Sequence, residues 1–462
     1  MSAIPRETFT VEVNGLDKKG HGKGAIWREN HYGRKKKLKL SIPGALPGER
    51  VCVTVDQVNR RRGKGAITEI LHPHPERTVP PCPHVSRCGG CAWQHWQYTG
   101  QLKQKTEHVK SALQKEGLDS GVVRDIIGMD DPWHYRHKME FTFAPDGSLG
   151  LHEQGNYRNV IPLETCLIAS RDIADGAMLV AEWAKEHGLK GYDKDVHRGL
   201  LRHLMVRQSS ATGEMMLALF ATEAPIGSLE GPAADLVERI QKRLPQARSV
   251  LWMENTQWAD RAQAEQTHVL DGRDFIYDEL AGFRYRLWYD TFFQVNPVQA
   301  EKLIELALEF GKPRKADTVI DLFCGVGTFS LPFARRVETL AGVEIVEKSV
   351  ESARRNARDN GIDNATFLAA DARRGIDRVL ERFGRPDLLL LDPPRSGAGG
   401  KVMRKIGRAK PKRIVYVSCN PDTLASDIAQ LAQFGYTLHT VQPVDMFPHT
   451  VHVETVVLIT RV

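Results

Sequence analysis

The apolar run Thr318–Phe323 leads into the turn Gly325-Val326-Gly327, and this pairing constrains the chain more than any other stretch. A short apolar run bounded by glycine reads as a fully buried strand. Glycines let the backbone turn sharply into a following helix. The pattern then recurs. Ala341–Val343 is a strand ending at Glu344, Glu347–Asn360 a helix, Ala365–Leu368 a strand ahead of Asp371, and Leu388–Leu391 a strand ending at Asp392. Strands alternating with helices predict a doubly wound α/β sheet. Each of these acidic residues stands where a strand ends, the edge at which such sheets take ligands. Glu344 is placed to accept hydrogen bonds from ribose hydroxyls. A dinucleotide fingerprint needs a third glycine, and Ser330 stands in its place, which disfavours hydride transfer.

A second constellation follows. Ile414–Val417 reads as a buried strand, stopped at Ser418-Cys419-Asn420-Pro421, where Pro421 is expected to break any regular element. A helix is predicted over Asp422–Leu431. Cys419 therefore lies on a strand-exit loop, where a thiol can reach a ligand. A carboxylate, Glu454, follows in FPHTVHVET. Upstream, YDTFFQVN (Tyr289–Asn296) opens the same half, ahead of a helix over Pro297–Glu309. Phe292 is a candidate for handling an extruded base, although a core position is the expected fate of both Phe292 and Phe293.

Four motifs, DLFCGVGTF (Asp321–Phe329), LDPPRSGAG (Leu391–Gly399), VSCNPDTLASD (Val417–Asp427) and FPHTVHVET (Phe447–Thr455), match in order and type those of a known family. The chain resembles the S-adenosylmethionine-dependent RNA uracil-C5 methyltransferases, and most resembles the branch acting on 23S ribosomal RNA. The resemblance implies a Rossmann-like methyltransferase domain whose glycine turn admits the methionine moiety. Its cofactor positions fall on Gln294, Phe323, Thr328, Glu344, Asp371 and Asp392. It implies that the Cys419 thiolate adds to uracil C6, that C5 then takes the methyl group, and that Glu454 removes the C5 proton before Cys419 is released. The target base must be unpaired or flipped out. His449 and His452 lie close by in sequence, with surface or core positions the more expected reading. Asp392-Pro-Pro-Arg395 is also similar to the motif of amino-group methyltransferases, but Arg395 replaces the aromatic residue that would stack their base. It is expected instead near uracil or phosphate. Cys419 follows Ser418 and so lacks the Pro-Cys context of the DNA cytosine methyltransferase nucleophile, and Ser426 departs from the arginine usual in this family.

With 462 residues and 41% hydrophobic content, the chain predicts two or three domains. Residues 1–72 hold 15 Lys and Arg against 7 Asp and Glu, a net of +8, so the remaining residues of the +7 chain sum to −1. A small basic module on a neutral body points to a polyanion partner. Strand-like runs at Thr8–Val13, Lys37–Ile42, Arg50–Val55 and Gly65–Leu71 suit a five-stranded OB-like barrel, with basic clusters Arg34–Lys37 and Arg60–Arg62 beside strands. The resemblance makes this a TRAM-type RNA-binding module. His72–Pro83 is proline-rich and reads as a linker.

Cys82, Cys88 and Cys91 then cluster, with Cys166 far downstream. Four thiolates suit tetrahedral zinc or a 4Fe–4S cluster, and spacing does not choose between them. The resemblance favours 4Fe–4S. Further on, an amphipathic helix is expected over Thr99–Gly117, strands within 134–165, a hairpin of Leu201–Arg207 with Met215–Thr222, a helix over Glu230–Arg243 and a strand at Ser249–Met253. The expected domains are residues 1–72, a central α+β domain over 73–280 carrying the cysteines, and the methyltransferase domain over 281–462, on which helix 99–117 could pack. The absence of a signal-peptide core or membrane-length apolar run predicts a cytosolic protein with no membrane partner. No obligate protein partner is evident. Competing readings are a transfer-RNA methyltransferase and a non-catalytic iron–sulfur RNA-binding or redox-sensing protein.

Overall fold

The computed structural model describes residues 7–29, 35–225, 231–258 and 262–461, so Arg34 and Glu230 lie outside the described residues. Two compact units form. One comprises residues 1–104, 152–157 and 447–451, and the other residues 105–151, 158–446 and 452–462.

In the first unit, β1 (Thr8–Glu12), β2 (Gly22–Glu29), β3 (Lys35–Ile42), β4 (Arg50–Asn59) and β5 (Arg62–His72) form a sheet ordered β1-β4-β5-β3-β2. Past β1, Asn14 donates to the Lys23 carbonyl at 2.8 Å and Lys23 donates to Gly15 at 2.7 Å, curling the sheet toward closure. Val11, Leu38, Leu40, Ile42, Val51 and Val53 fill its interior, as alternation along strands requires. Strand β3 runs parallel to β5, with Lys39 opposite Arg62. The exposed Lys35–Lys37 run and the exposed Arg60–Arg62 turn therefore belong to neighbouring strands.

The proline-rich stretch after β5 is not a loose linker. Arg77 holds the buried Glu49 carboxylate through two nitrogens, at 2.6 and 2.7 Å, and the His74 amide donates to it at 3.0 Å. Trp96 donates to Glu76 at 3.2 Å, while Trp93 and Trp96 pack on Leu46. A bidentate arginine on a buried carboxylate fixes backbone that proline content alone predicts to be extended and free.

Helix α1 (Tyr98–Lys115) follows. A second sheet is formed by β6 (Lys138–Phe143), β7 (Leu149–Glu153), β8 (Asn156–Pro162), β9 (Leu201–Gln208), β10 (Met215–Ala221), β11 (Ala247–Glu254) and β12 (Gln266–Gly272), ordered β12-β11-β10-β9-β6-β7-β8. Helices α2 (Arg171–Glu186) and α3 (Pro232–Arg243) accompany this sheet. The expected β9–β10 hairpin is present and antiparallel. Helix α2 was not anticipated, although the Ser170 hydroxyl accepts from the Ile173 amide as an N-cap. A hairpin of β13 (Ile276–Leu280) and β14 (Phe283–Leu287) leads to α4 (Pro297–Gly311).

The last sheet contains β15 (Thr318–Leu322), β16 (Thr339–Glu344), β17 (Ala365–Ala369), β18 (Leu388–Leu391), β19 (Arg413–Ser418), β20 (Tyr436–Val444) and β21 (Glu454–Arg461). Its order is β17-β16-β15-β18-β19-β21-β20. The first five run parallel, while β21 inserts antiparallel to both β19 and β20. Intervening helices are α5 (Ser330–Ala334), α6 (Glu347–Asp359), α7 (Ala372–Phe383), α8 (Gly400–Ala409) and α9 (Pro421–Leu431). Val109, Ala112 and Leu113 of α1 join the core formed with Ile320, Tyr416 and Val457. Lys105 of the same helix forms a fully buried ion pair with Asp445 at 2.5 Å. Residues 122–127 run beside β20, with Val123 bridged to Val441 and Ile127 to Val444, which covers that edge. Among the described residues no helix is long and apolar enough to cross a membrane.

Candidate active site

Strand register assembles the candidate residues. Leu322 pairs with Val343 and with Leu391, and Leu391 pairs with Tyr416. Phe323, Glu344 and Asp392 therefore stand in one row at the strand ends, with Cys419 just beyond on its own strand. Across the antiparallel join, Ser418 faces Thr455. Continuing that register by one residue sets Cys419 opposite Glu454.

The glycine turn is built by backbone conformation. Phe323 has φ +71°, Gly325 φ +53° and Gly327 φ +92°. Phe323 holds the left-handed conformation at a cost that such sites tolerate when the surroundings over-determine it. Here the Phe323 and Cys324 amides both donate to the Val343 carbonyl, at 2.8 and 3.1 Å. Ser330, in place of a third glycine, donates its hydroxyl to Asp321 at 2.5 Å and is wholly buried, tying the helix start to the strand. Burial pushes the Asp321 carboxyl up to about 7, opposed by that hydrogen bond and reinforced by Asp392 and Glu344.

Glu344 accepts from the Gly325 amide at 3.2 Å and from the Val346 amide at 2.8 Å. Next to it, Ile345 and Val346 are 66% and 51% exposed, an apolar surface that sequence reading passed over. Asp371 caps α7 and is held below the usual carboxylate range by its hydrogen bonds from Arg373. Thr328 accepts through its carbonyl from the Tyr285 hydroxyl at 3.4 Å. Gln294 is half-buried two residues before Asn296, whose side chain caps α4. Phe293 is core and packs on Tyr285 at 5.1 Å. Phe292 is 72% exposed, which corrects the expectation of a core position.

Pro421 corrects another expectation. It starts α9, with the Asn420 side chain accepting from the Asp422 amide at 3.2 Å. Proline suits a first helical turn because its missing N–H would have no partner there. Helix α9 also anchors the DPPRSGAG loop. Asp427 accepts from the Ala398 amide at 2.7 Å, the Gly399 amide at 3.2 Å and the Tyr416 hydroxyl at 2.7 Å. Asn420 donates to the Arg395 carbonyl at 2.9 Å. Two motifs far apart in sequence thus form one rigid piece, a role for Asp427 that no local pattern signals.

The half-buried Cys419 thiol is pushed up to about 11 by burial and by Glu454 and Asp392, with Arg395 opposing. Glu454, 6% exposed, is raised well above the carboxylate range by burial and by Asp392, again opposed by Arg395. Asp392 keeps some accessible surface, but its carboxyl is densely surrounded and burial lifts it to about 7. Arg395 donates to Nδ1 of His452 at 2.5 Å. Burial and the Arg395 charge depress His452 to about 4, so the imidazole is neutral and its proton is on Nε2. His449 belongs to the first unit, where its amide donates to Gln101 at 3.0 Å and its carbonyl accepts from Ala92 and Trp93. Its role there is structural.

The strand-end carboxylates, the glycine turn and the apolar Ile345 suit an adenosyl ligand bearing a cation.

Cys82, Cys88 and Cys91 occupy a loop of the first unit, where Gly89 donates to the His152 carbonyl at 3.1 Å and Cys88 bridges to Glu153. The Gly90 amide donates to Cys88 Sγ at 3.4 Å. Burial pushes the Cys88 thiol up; that hydrogen bond opposes the rise and the nearby Cys82 adds to it. Cys166 is buried in the second unit. Among the described residues no three His, Cys, Asp or Glu side chains are gathered to hold a metal ion. Thiolate donors are of a kind that suits either zinc or an iron–sulfur centre, but the described side chains are not gathered around one.

Residues 255–462 match the family described as tRNA (Uracil-5-)-methyltransferase. An uncharacterized RNA methyltransferase of Halalkalibacterium halodurans is 38% identical over 91% of this chain and 92% of its own length. Another, of Caldanaerobacter subterraneus subsp. tengcongensis, is 36% identical over 98% of this chain and 99% of its own. The crystal structure of Pyrococcus abyssi tRNA (uracil-54, C5)-methyltransferase in complex with S-adenosyl-L-homocysteine is similar in fold, with TM-score 0.76 and 24% identity over 98% of this chain and 100% of that one.

Proposed function

Because the chain belongs to the RNA (uracil-5-)-methyltransferase family, we propose that it transfers a methyl group from S-adenosylmethionine to C5 of a uridine in 23S ribosomal RNA, with Cys419 as nucleophile and Glu454 as base. The observation that supports this reading is the β19–β21 register, whose last pair, Ser418 with Thr455, leaves Cys419 and Glu454 as the next residues at that end of the sheet. Gln294, Phe323, Thr328, Glu344, Asp371 and Asp392 are the proposed donor-binding residues.

C5 of uracil is a poor nucleophile until something adds at C6. Cys419, once ionised, forms the S–C6 bond, and the displaced π electrons make C5 an enolate carbon. When bound, S-adenosylmethionine supplies the methyl group and a sulfonium charge. C5 then bears both the new methyl group and its original proton. Glu454 accepts that proton, the C5–C6 double bond re-forms and the S–C6 bond breaks, returning Cys419 as thiolate. Arg395, steadied by His452, stabilises negative charge at both residues.

The basic module supports an RNA partner by charge, through backbone contacts that carry no sequence choice. Deleting residues 1–70 is expected to weaken RNA binding and flatten its salt dependence. Because that deletion uncovers Trp93 and Trp96, replacing Lys36, Lys37, Arg61 and Arg62 by glutamine makes the same test on an intact fold. Each lost phosphate contact lowers the slope of log K against log salt by about 0.7–0.9. An unchanged slope in both variants would remove the module from RNA binding.

For Cys82, Cys88, Cys91 and Cys166 the reading is a 4Fe–4S cluster that shapes the fold, since no step above needs an electron. One zinc and no iron in the purified protein would instead assign a tetrahedral zinc site. Transfer RNA is the second target reading, favoured by the description of the matching family. Methylation with labelled S-adenosylmethionine on ribosomal RNA and on tRNA separates the two. Label in neither would refute the proposed activity.

A further inference from the structure

The β13–β14 hairpin carries a layer of arginines laid over aromatic rings. Tyr277 pairs with Arg286 and Glu279 with Arg284, so residues 275, 277 and 279 share a face with 284, 286 and 288. On that face the Arg284 guanidinium lies 3.7 Å from the Tyr277 ring centre, and Arg286 and Arg273 lie 4.6 and 4.8 Å from that of Phe275. Arg355, from α6, sits 5.2 Å from the Trp288 ring. The layer is rigid because α6 grips β14 through two amides. The Arg286 amide donates to Asn356 at 3.0 Å and the Arg284 amide to Asn360 at 2.9 Å, while Asn360 donates back to the Arg284 carbonyl at 2.7 Å.

The four guanidiniums are not equivalent. Arg273 pairs with Glu214, and Arg286 pairs with Asp359 at 3.3 Å. Asp274 is engaged by the Trp288 indole at 3.2 Å. Among the described residues, Arg284 and Arg355 form no ion pair. A guanidinium lying on a ring keeps its N–H edge available, and that edge matches phosphate oxygens. From β14 the chain passes Trp288 and reaches the 72%-exposed Phe292 and then Gln294, one of the donor-binding residues proposed above.

We propose that this face is an RNA-backbone strip, on which Arg284 and Arg355 hold phosphates of the strand that delivers the target uridine; the assignment of RNA rests on the function proposed above. Phosphate is favoured over an acidic peptide because the exposed Phe292 ring, a few residues along the chain from the cations, offers a stacking surface to a base. The test is Arg284→Gln, Arg355→Gln and their combination in the full chain, measuring affinity for unmodified substrate RNA across salt without methyl donor. The double variant is expected to lose about 1.4 from the salt slope, about 0.7 per phosphate on a single strand. Binding should be roughly tenfold weaker at low salt and KM for RNA raised, with kcat unchanged. Arg284→Lys with Arg355→Lys should restore the slope. If the double variant keeps its slope and KM, whether or not its melting temperature falls, the layer is a structural brace or a protein-docking face and the proposal is wrong. Failure of the wild type to methylate any RNA is a separate result, because the binding measurement needs no turnover.

Discussion

Cys419→Ala is expected to abolish methyl transfer, by on the order of 10⁴-fold or more, if Cys419 is the single nucleophile of the proposed covalent mechanism. Neither loss of fold nor loss of donor binding would account for that outcome. The side chain is half-buried and small, and its loop is held independently by Ser418, Asn420 and Thr423. The variant should bind S-adenosylmethionine normally and form no covalent RNA adduct. The thiol's environment adds a pH signature. With its pKa near 11 in the ligand-free protein, alkylation of Cys419 should rise with pH through neutrality and level off only in strong alkali. A bound positive charge favours the thiolate and must shift this curve to lower pH. S-adenosylmethionine should therefore shift it, while the uncharged thioether S-adenosylhomocysteine should not. Residual methylation in the alanine variant would show that the nucleophile is elsewhere.

Glu454→Gln is expected to give the opposite phenotype. In the proposed mechanism adduct formation does not need the carboxylate, but release does. The variant should accumulate a covalent RNA–protein species already carrying the methyl group, with turnover slowed by about 10²–10⁴-fold, the usual contribution of a positioned base. Denaturing gels with donor-labelled RNA check this. Glutamine keeps the shape of the buried side chain and drops its charge, so the local fold should survive. Removing the charge also removes one cause of the raised Cys419 pKa, which predicts a more acidic thiol in the variant. Normal turnover would place the base elsewhere.

The parallel strands were readable because buried strands leave unbroken apolar runs. Leu388–Leu391 was located to the residue, and β16, β17 and β19 to within two. What escaped was whatever depends on a distant partner. His72–Pro83 looks like a linker until Glu49 is seen between Arg77 and the His74 amide. Asp427 looks like an ordinary helical acid until its three donors are counted. Phe292 and Phe293 are adjacent and chemically identical, and only the packing of Tyr285 distinguishes the core ring from the exposed one. Pro421 was misread for a local reason, since the same residue ends one element and begins the next. Of the candidate site, Cys419 and Glu454 are linked in the sequence only by the family resemblance, because nothing local announces that β21 runs backwards beside β19.

That reversal separates two distances that are usually coupled. Because β21 runs against β19, residue 454 enters the sheet beside the point where residue 419 leaves it, and six consecutive main-chain pairs hold the two ends level. The gap between attacking and proton-accepting atoms is thus ruled by the pleat, not by the contour of the intervening polypeptide. The bend at Ala432–Phe434, beyond the anchoring helix, can lengthen or shorten while residues 419 and 454 stay at a fixed span.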